Sequence, residues 1–497
     1  MEPKENRPDI LIVVFDCVSA DAFPGGRTPD GGLPFLDSLR ENSICYTNAH
    51  TVAPWTVPAH ASLLTGLFPF EHGLYRGGPS QTISHCVKLP EVMSKAGYAT
   101  ALFSANPFLG PQFGLSDGFE VATRGSWTAH LFRERPDGRR TVPGRSQPAE
   151  FTDSLKRLQK RHQLLRAVDD VSSQIPRVNS ILTELVDRVD PGFFERRGES
   201  HPWIESLLKA WLDTLSANRP AFCVVNLIDA HEPYLGAACE RRTSGFPPVR
   251  MQQGGALSGH SRLTSEQLAS LREAYRAQLR VLDKRACQIM GTFSRSGRTD
   301  NLLTVLTSDH GQEFGEENRL FHGSGLSDRL IHVPLWVNSS RLALGGKEIA
   351  IPSSTVDILP TILAATNVQS PLHTSGVNLL ELVHGGRRPP IFAVSSSMDE
   401  RAGSLRSESG ARSVGTYDLL AVVDGLELRM RVNEAGNVLS ENITPMRLGS
   451  DAATAGTRTT GEAVLRGAVR KALSQLHPPR GTPTNEGVLS RLAGWGY

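Results

Sequence analysis

The chain has 497 residues, 39% of them hydrophobic, which is enough to bury a large core and a smaller companion. Its 53 basic and 51 acidic residues leave a formal net charge of +2, so there is no electrostatic footprint for nucleic acid or an anionic membrane surface. No apolar run reaches the length of a membrane span, no leader-like apolar segment precedes the first strand, and the six cysteines form no C-x-x-C pair. Zinc-finger and dithiol chemistry are therefore excluded, and a cytoplasmic, reducing setting is expected.

Asp9–Asp16 is a continuous apolar run closed by an acid, which predicts a buried parallel strand with a carboxylate at its carboxyl end. Leu33–Asn42 reads as a helix and Ile44–Ala49 as a short strand. Thr56-Val57-Pro58-Ala59-His60 then opens a helix that closes at Gly66, with Thr56 expected at or near the N-cap and Pro58 in the first turn. A hydroxyl there sits where free N–H groups and the helix dipole favour negative charge. Lys88–Gly97 reads as a helix and Tyr98–Ser104 as a strand that runs into Asn106. Arginines and prolines crowd 124–145, and amphipathic helices are expected over Phe151–Val189 and His201–Ala217, so about 124–217 reads as a helical insertion. Pro220–Leu227 is a buried strand delivering Asp229-Ala230-His231-Glu232-Pro233-Tyr234. Ser265–Phe293 is a long amphipathic helix. Asn301–Thr307 is a buried strand ending in Ser308-Asp309-His310-Gly311, with His322 and the strand Val333–Val337 soon after. A helix is expected from near Asp357. Beyond about residue 386, Tyr417–Val423 and Leu426–Val432 flank Asp424-Gly425, a hairpin signal, and a helix follows over Thr460–Gln475.

Alternating strands and helices predict an α/β fold, and in open α/β sheets ligands gather beyond the carboxyl ends of the strands. Asp16, Thr56, Asp229 with His231, and Asp309 with His310 all fall at such ends or in the turns after them. Carboxylates, an imidazole and a hydroxyl brought together are the parts of a metal site with an activated nucleophile.

Asp16, Thr56-x-Pro58-x-His60-x-x-Leu63-Leu64-Thr65-Gly66, Asp229-x-His231-x-Pro233-Tyr234 and Ser308-Asp309-His310-Gly311 together resemble the sulfatase branch of the alkaline phosphatase superfamily. Smaller pieces agree, among them Ala96-Gly97-Tyr98, Val356-Asp357-Ile358-Leu359-Pro360 and the ending Leu492–Tyr497. The resemblance implies an alkaline-phosphatase-like sandwich with a central mixed, mostly parallel sheet over 1–385 and a small C-terminal α+β subdomain over 386–497. It also implies in-line displacement at phosphorus or sulfur. Carried over by position, Asp16, Thr56, Asp309 and His310 become metal ligands, Thr56 also the nucleophile, and His60, His231 and His322 catalytic groups. Asn106 and Asp229 are expected at the substrate.

The departures narrow the chemistry. Sulfatases of this branch carry cysteine or serine at the position of Thr56, converted to formylglycine, and the threonine methyl forbids that aldehyde. Cys17 follows Asp16 where the family has a second acid, and His310 stands in place of an asparagine. Fewer hard oxygens and one imidazole favour Mn²⁺ or Zn²⁺ over Ca²⁺ or Mg²⁺, with one ion expected rather than two. The expected activity is metal-dependent hydrolysis of a phosphate or phosphonate ester through a threonine nucleophile. Three alternatives are transfer to an alcohol acceptor, a sulfatase without formylglycine, and an inactive binding module. The expected substrate is an anionic ester, free or attached to a lipid or glycan.

Overall fold

The computed structural model describes residues 7–23, 32–74, 82–123, 203–232, 234, 263–316, 319–341, 345–397, 416–423, 426–433, 438–445 and 455–475, with two short strands at 133–134 and 140–141. The arginine-rich 124–145 stretch (those two strands aside), the expected helices of 151–189, the turn at 424–425 and the ending at 492–497 lie outside them.

Eight strands make the central sheet: β1 (Asp9–Phe15), β2 (Ile44–Tyr46), β3 (Ala99–Ser104), β4 (Val121–Ala122), β5 (Ala221–Leu227), β6 (Leu302–Ser308), β7 (Leu335–Ser339) and β8 (Glu348–Ile349). Their spatial order is β8-β2-β7-β6-β1-β5-β3-β4. β7 pairs antiparallel with both β2 and β6, and the other pairings are parallel, so the sheet is mixed and mostly parallel as expected. The parallel pairings of β1 to β5 and β6 are in register, Val13 opposite Val225 and Leu306.

β1 explains why its sequence is unbroken apolar rather than alternating. Leu11, Val13 and Phe15 join one core, and Ile10, Ile12 and Val14 join another on the opposite face of the sheet. Successive side chains of a strand point to opposite faces, so a strand covered on both faces must be apolar throughout. The first core is closed by α4 (Trp203–Asp213) and α5 (Ser265–Arg295). The second is closed by α2 (Thr56–Thr65), α3 (Leu89–Lys95) and α6 (Ile358–Ala365). α1 (Pro34–Glu41) packs beside α5 and donates the Leu36 amide to Asp283 at 2.8 Å.

One expectation needs correction here. The insertion does not extend to residue 217, because α4 is a layer of the fold: Ile204, Leu208 and Trp211 are buried in the first core, and the Trp211 ring meets Phe103 of β3 edge-on at 5.9 Å. Thr56 stands next to the N-cap of α2, within the expectation. Trp55 takes the cap position with extended backbone, Thr56 is the first helical residue, and Pro58 falls two residues further in, still among the positions whose N–H has no helical acceptor.

A four-stranded antiparallel sheet follows: β9 (Ile391–Ser397), β10 (Thr416–Val423), β11 (Leu426–Asn433) and β12 (Val438–Pro445), with α7 (Ala455–Gln475) packed on it. Val423 pairs with Leu426, the register a two-residue hairpin requires. Its apolar face shares a core with Val52, Ala53, Phe68, Phe70, Leu330 and Ile331, so this sheet buttresses the segments on either side of α2. No helix among the described residues is long and apolar enough to cross a membrane.

α4, α5 and the turn after β5 are locked by a buried charge cluster. Arg285 Nη1 donates to both oxygens of Asp229 (3.1 and 2.9 Å), and its Nε donates to Glu205 at 2.8 Å. Removing one partner of such a pair leaves an uncompensated buried charge. Arg285→Met should therefore cost about 3–5 kcal/mol in urea unfolding, and a loss within experimental error would show that the cluster does not lock these elements.

Candidate metal centre and active site

The site is built where β1, β5 and β6 end. Backbone pairing continues past the strands: the Asp16 amide donates to the Leu227 carbonyl (2.9 Å), and the Asp309 amide donates to the Phe15 carbonyl (3.0 Å). Ser308 Oγ donates to the Phe15 carbonyl at 2.9 Å and accepts from the Val18 amide at 3.0 Å. These bonds hold Asp16 and Asp309 in one buried space, 0% and 2% exposed. Gly311 is required by packing: a Cβ there would stand 1.8 Å from the Arg329 carbonyl oxygen.

α2 arrives from the other side. All ten of its residues are buried, and it stops at Gly66 in the left-handed conformation (φ 68°). Because Thr56 has no capping bond to make, its hydroxyl faces the site, 3.5 Å from His310 Nε2 and 3.4 Å from Asn106 Nδ2. One turn on, His60 Nδ1 donates to the Thr56 carbonyl at 3.0 Å and lies 3.6 Å from Asp309 Oδ2. His310 Nδ1 donates to the Gly311 carbonyl at 3.0 Å, which leaves the Nε2 lone pair 3.6 Å from Asp309 Oδ2 and 3.8 Å from Asp16 Oδ1. Asn106 Nδ2 donates to Asp16 Oδ2 at 2.8 Å while its Oδ1 accepts the Phe108 amide, so this residue braces both Asp16 and Thr56.

The electrostatics ask for a cation. Burial, and next the charge of Asp16, push the Asp309 carboxyl well above the ordinary carboxylate range. Burial pushes His60 and His310 down to about 4, so both rings are neutral at pH 7 and carry a lone pair. Asp309 Oδ2 and His60 Nε2 are buried with no hydrogen-bond partner among the described residues. Two carboxylates, a neutral imidazole and a hydroxyl around orphaned polar atoms fit a divalent ion held by Asp16, Thr56, Asp309 and His310.

His231 and His322 complete the wall. Their rings meet edge-on at 4.8 Å, and His322 lies 4.5 Å from the His310 ring, centre to centre. Burial lowers the affinity of His231 for a proton, but the charges of Glu232 and Asp16 outweigh it and raise its pKa. Burial, helped by His310 and His231, drives His322 well down.

Asp229 is the exception among the residues expected here. Both its oxygens are bound by Arg285 and it is 2% exposed, so it anchors the turn that presents His231 in place of contacting substrate. Sequence reasoning also passed over Cys17, Glu232 and Gln312. Cys17 Sγ lies 3.3 Å from Asp16 Oδ1 and 3.5 Å from His322 Nδ1. Gln312 Nε2 donates to Glu232 Oε2 at 2.7 Å, and its Oε1 lies 2.9 Å from His322 Nδ1. The signal available for them was adjacency alone, each lying within two residues of a site residue.

The family model described as Sulfatase matches residues 8–368. The chain belongs to the sulfatase family. Within it, the choline-sulfatase of Rhizobium meliloti (strain 1021) is 24% identical over 402 residues, spanning 77% of this chain and 72% of that protein. The multifunctional alkaline phosphatase superfamily protein PehA of Trinickia caryophylli is 23% identical over 420 residues, spanning 77% of this chain and 78% of that protein. Among solved structures, the phosphonate monoester hydrolase of Agrobacterium radiobacter superposes with a TM-score of 0.61 at 18% identity, covering 95% of this chain and 96% of that one. This sulfatase-family chain is accordingly an ester hydrolase with the alkaline-phosphatase-like fold.

α2 is also fixed at its far end, and by a histidine. His72 accepts the Leu74 amide on Nδ1 (3.1 Å), so its Nε2 donates to Ser62 Oγ (2.9 Å). Burial, and next the charge of His85, lower its pKa to about 3. A histidine that resists protonation when folded contributes stability above pH 6.5 that is lost as pH falls toward 3. The stability difference between the wild type and His72→Gln, from urea midpoints, should therefore shrink between pH 7 and pH 4.5. A difference independent of pH would contradict the neutral, doubly bonded ring.

Proposed function

We propose that the enzyme hydrolyses phosphate or phosphonate esters with Thr56 as nucleophile. The observation that carries this reading is the residue itself: a threonine at the first position of a buried helix, its hydroxyl turned onto the Asp16–Asp309–His310 cluster. Its branched Cβ rules out formylglycine, so a direct alkoxide attack is the chemistry left to it, and phosphoryl groups are the ones such an attack transfers.

When bound, a divalent ion at Asp16, Thr56, Asp309 and His310 lowers the pKa of the ligated hydroxyl and offsets charge on the ester's equatorial oxygens. The donor set favours Mn²⁺ or Zn²⁺ and needs a single ion for this role. His310 is held as the Nε2 lone-pair tautomer by Gly311, and Asn106 holds Asp16 and the Thr56 hydroxyl in place. Thr56 Oγ, its proton released to solvent, forms the new P–O bond as the bond to the leaving alcohol breaks. His231, on the wall and carrying the raised pKa, supplies the proton that the leaving oxygen takes. Water then gives a proton back to His231 as it attacks phosphorus, the P–Oγ bond breaks, and Thr56 takes up a proton from solvent. His60 keeps the first turn of α2 oriented through the Thr56 carbonyl.

A sulfate-ester reading is favoured by the similarity to sulfatases, choline-sulfatase among them, and transfer to an alcohol differs from hydrolysis only in what attacks the phosphorylated threonine. Side-by-side turnover of aryl phosphate, aryl phosphonate and aryl sulfate esters separates the first pair, and product analysis with added alcohols separates the second. Thr56→Ala should lower phosphoester turnover by about 10³-fold or more, with Thr56→Ser keeping part of it. Full activity in Thr56→Ala, or faster turnover of the sulfate, would overturn the proposal. Chelation should abolish turnover, with Mn²⁺ or Zn²⁺ restoring it better than Ca²⁺; restoration by Ca²⁺ alone would show that the donor set selects a hard ion.

A further inference from the structure

His231, Glu232 and His322 form a second cluster with Cys17, whose sulfur also stands within 4.8 Å of donor atoms of Asp16 and His310. Cys17, His231, Glu232 and His322 each offer one donor atom, and these four atoms lie within 4.8 Å of one another. Cys17 Sγ is 3.5 Å from His322 Nδ1, and Glu232 Oε2 is 3.7 Å from the same nitrogen. Tetrahedral zinc, with Zn–S about 2.3 Å and Zn–N or Zn–O about 2.0–2.1 Å, sets sulfur and nitrogen about 3.5–3.6 Å apart and oxygen and nitrogen about 3.3–3.4 Å apart. The first spacing is already met, and the second needs a shift of a few tenths of an ångström.

We propose that these four side chains bind a second, thiolate-ligated cation of the zinc class, beside the ion expected at Asp16 and Asp309. One thiolate, two imidazoles and one carboxylate form a borderline-soft donor set that hard ions do not favour. The surroundings hold the donors from behind. Tyr275 donates its hydroxyl to the Cys17 carbonyl at 3.0 Å and so fixes a turn in which Cys17 has left-handed backbone (φ 67°). Gln312 binds Glu232 Oε2 through Nε2, and the same Nε2 donates to the Tyr234 hydroxyl at 2.9 Å. Binding displaces the Cys17 thiol proton to solvent and moves the His322 proton from Nδ1, where Gln312 Oε1 now faces it, to Nε2.

The two sites share a wall. Cys17 is the neighbour of Asp16, its sulfur lies 3.3 Å from Asp16 Oδ1, and the His310 and His322 rings are 4.5 Å apart. A cation in the second site faces the same space as Thr56. The geometry alone carries the binding site. Its use rests on the phosphoryl-transfer reading above and changes it at one point: His231 would then give its lone pair to the cation and no proton to the leaving group, and the cation would hold the leaving oxygen instead.

The test begins from the metal-free full-length protein reconstituted with Zn²⁺ or Co²⁺. Wild type should bind two ions per chain by elemental analysis, and the cobalt form should show the near-ultraviolet thiolate-to-cobalt charge-transfer absorption. Cys17→Ala should bind one ion and lose that absorption, with Cys17→Ser as the second variant should the alanine form misfold. Asp309→Asn should lose the other ion and keep the absorption, which needs only a folded protein and no activity. One ion per chain in the wild type, with or without the thiolate signal, overturns the proposal, as does an unchanged count of two in Cys17→Ala. Failure of the threonine reading looks different: Thr56→Ala would then turn over substrate with the cobalt–thiolate absorption intact.

Discussion

Asp16 and Asp309 are forced together by the sheet. They end adjacent parallel strands, backbone bonds continue the pairing past the last strand residues, and both carboxylates lie within 3.8 Å of the same nitrogen of His310. Two buried like charges oppose each other, and the amides of Cys17, His310 and the Asn106 side chain that donate to them offset this only in part. A divalent cation offers further relief, and would supply the field that the proposed threonine nucleophile needs. The other features of the site converge on this forced meeting: the Nε2 lone pair of His310, the brace from Asn106, and the placing of Thr56 on a helix buried along its full length.

α2 is held by its surroundings. It is buried along its full length, tied by His72 to the turn beyond it, and backed by a core shared with the C-terminal sheet. The proposed nucleophile therefore sits on a well-supported element, which favours in-line attack. The C-terminal sheet thereby acts on the site without touching it, through Val52, Ala53, Phe68 and Phe70 on either side of the helix. On the other side of the central sheet, Arg285 does the same for the turn carrying His231, by neutralising Asp229 and Glu205 at the junction of two helices and a strand end.

Much of this was legible because burial on both faces of a parallel sheet leaves a plain mark. Asp9–Phe15, Ala221–Leu227 and Leu302–Ser308 are unbroken apolar runs, and the polar residue after each is conspicuous. Asp16, His231, Asp309 and His310 could be nominated that way, whereas Thr56 was marked by a helix start and His322 by the family resemblance. Asp229 could not be sorted from them, since an acid after a strand looks the same whether it meets an open pocket or an arginine from residue 285. The role of α4 was hidden for a similar reason: an amphipathic helix does not announce which surface it will cover, and Trp211 reaches Phe103 only once the crossover is folded.

The sequence by itself determined the order of the candidate groups along the chain, the family, and a threonine at position 56 that cannot become formylglycine, because each of these depends on residue identity and local spacing. Tertiary structure decided which of the candidate groups meet. The pairing of Cys17 with His322, and of Gln312 with Glu232, joins residues 305 and 80 positions apart along the chain. No periodicity encodes such separations. They are set by the register of β1 against β5 and β6 and by the turns that follow, where a left-handed cysteine and a glycine pressed on Arg329 aim the side chains into one space.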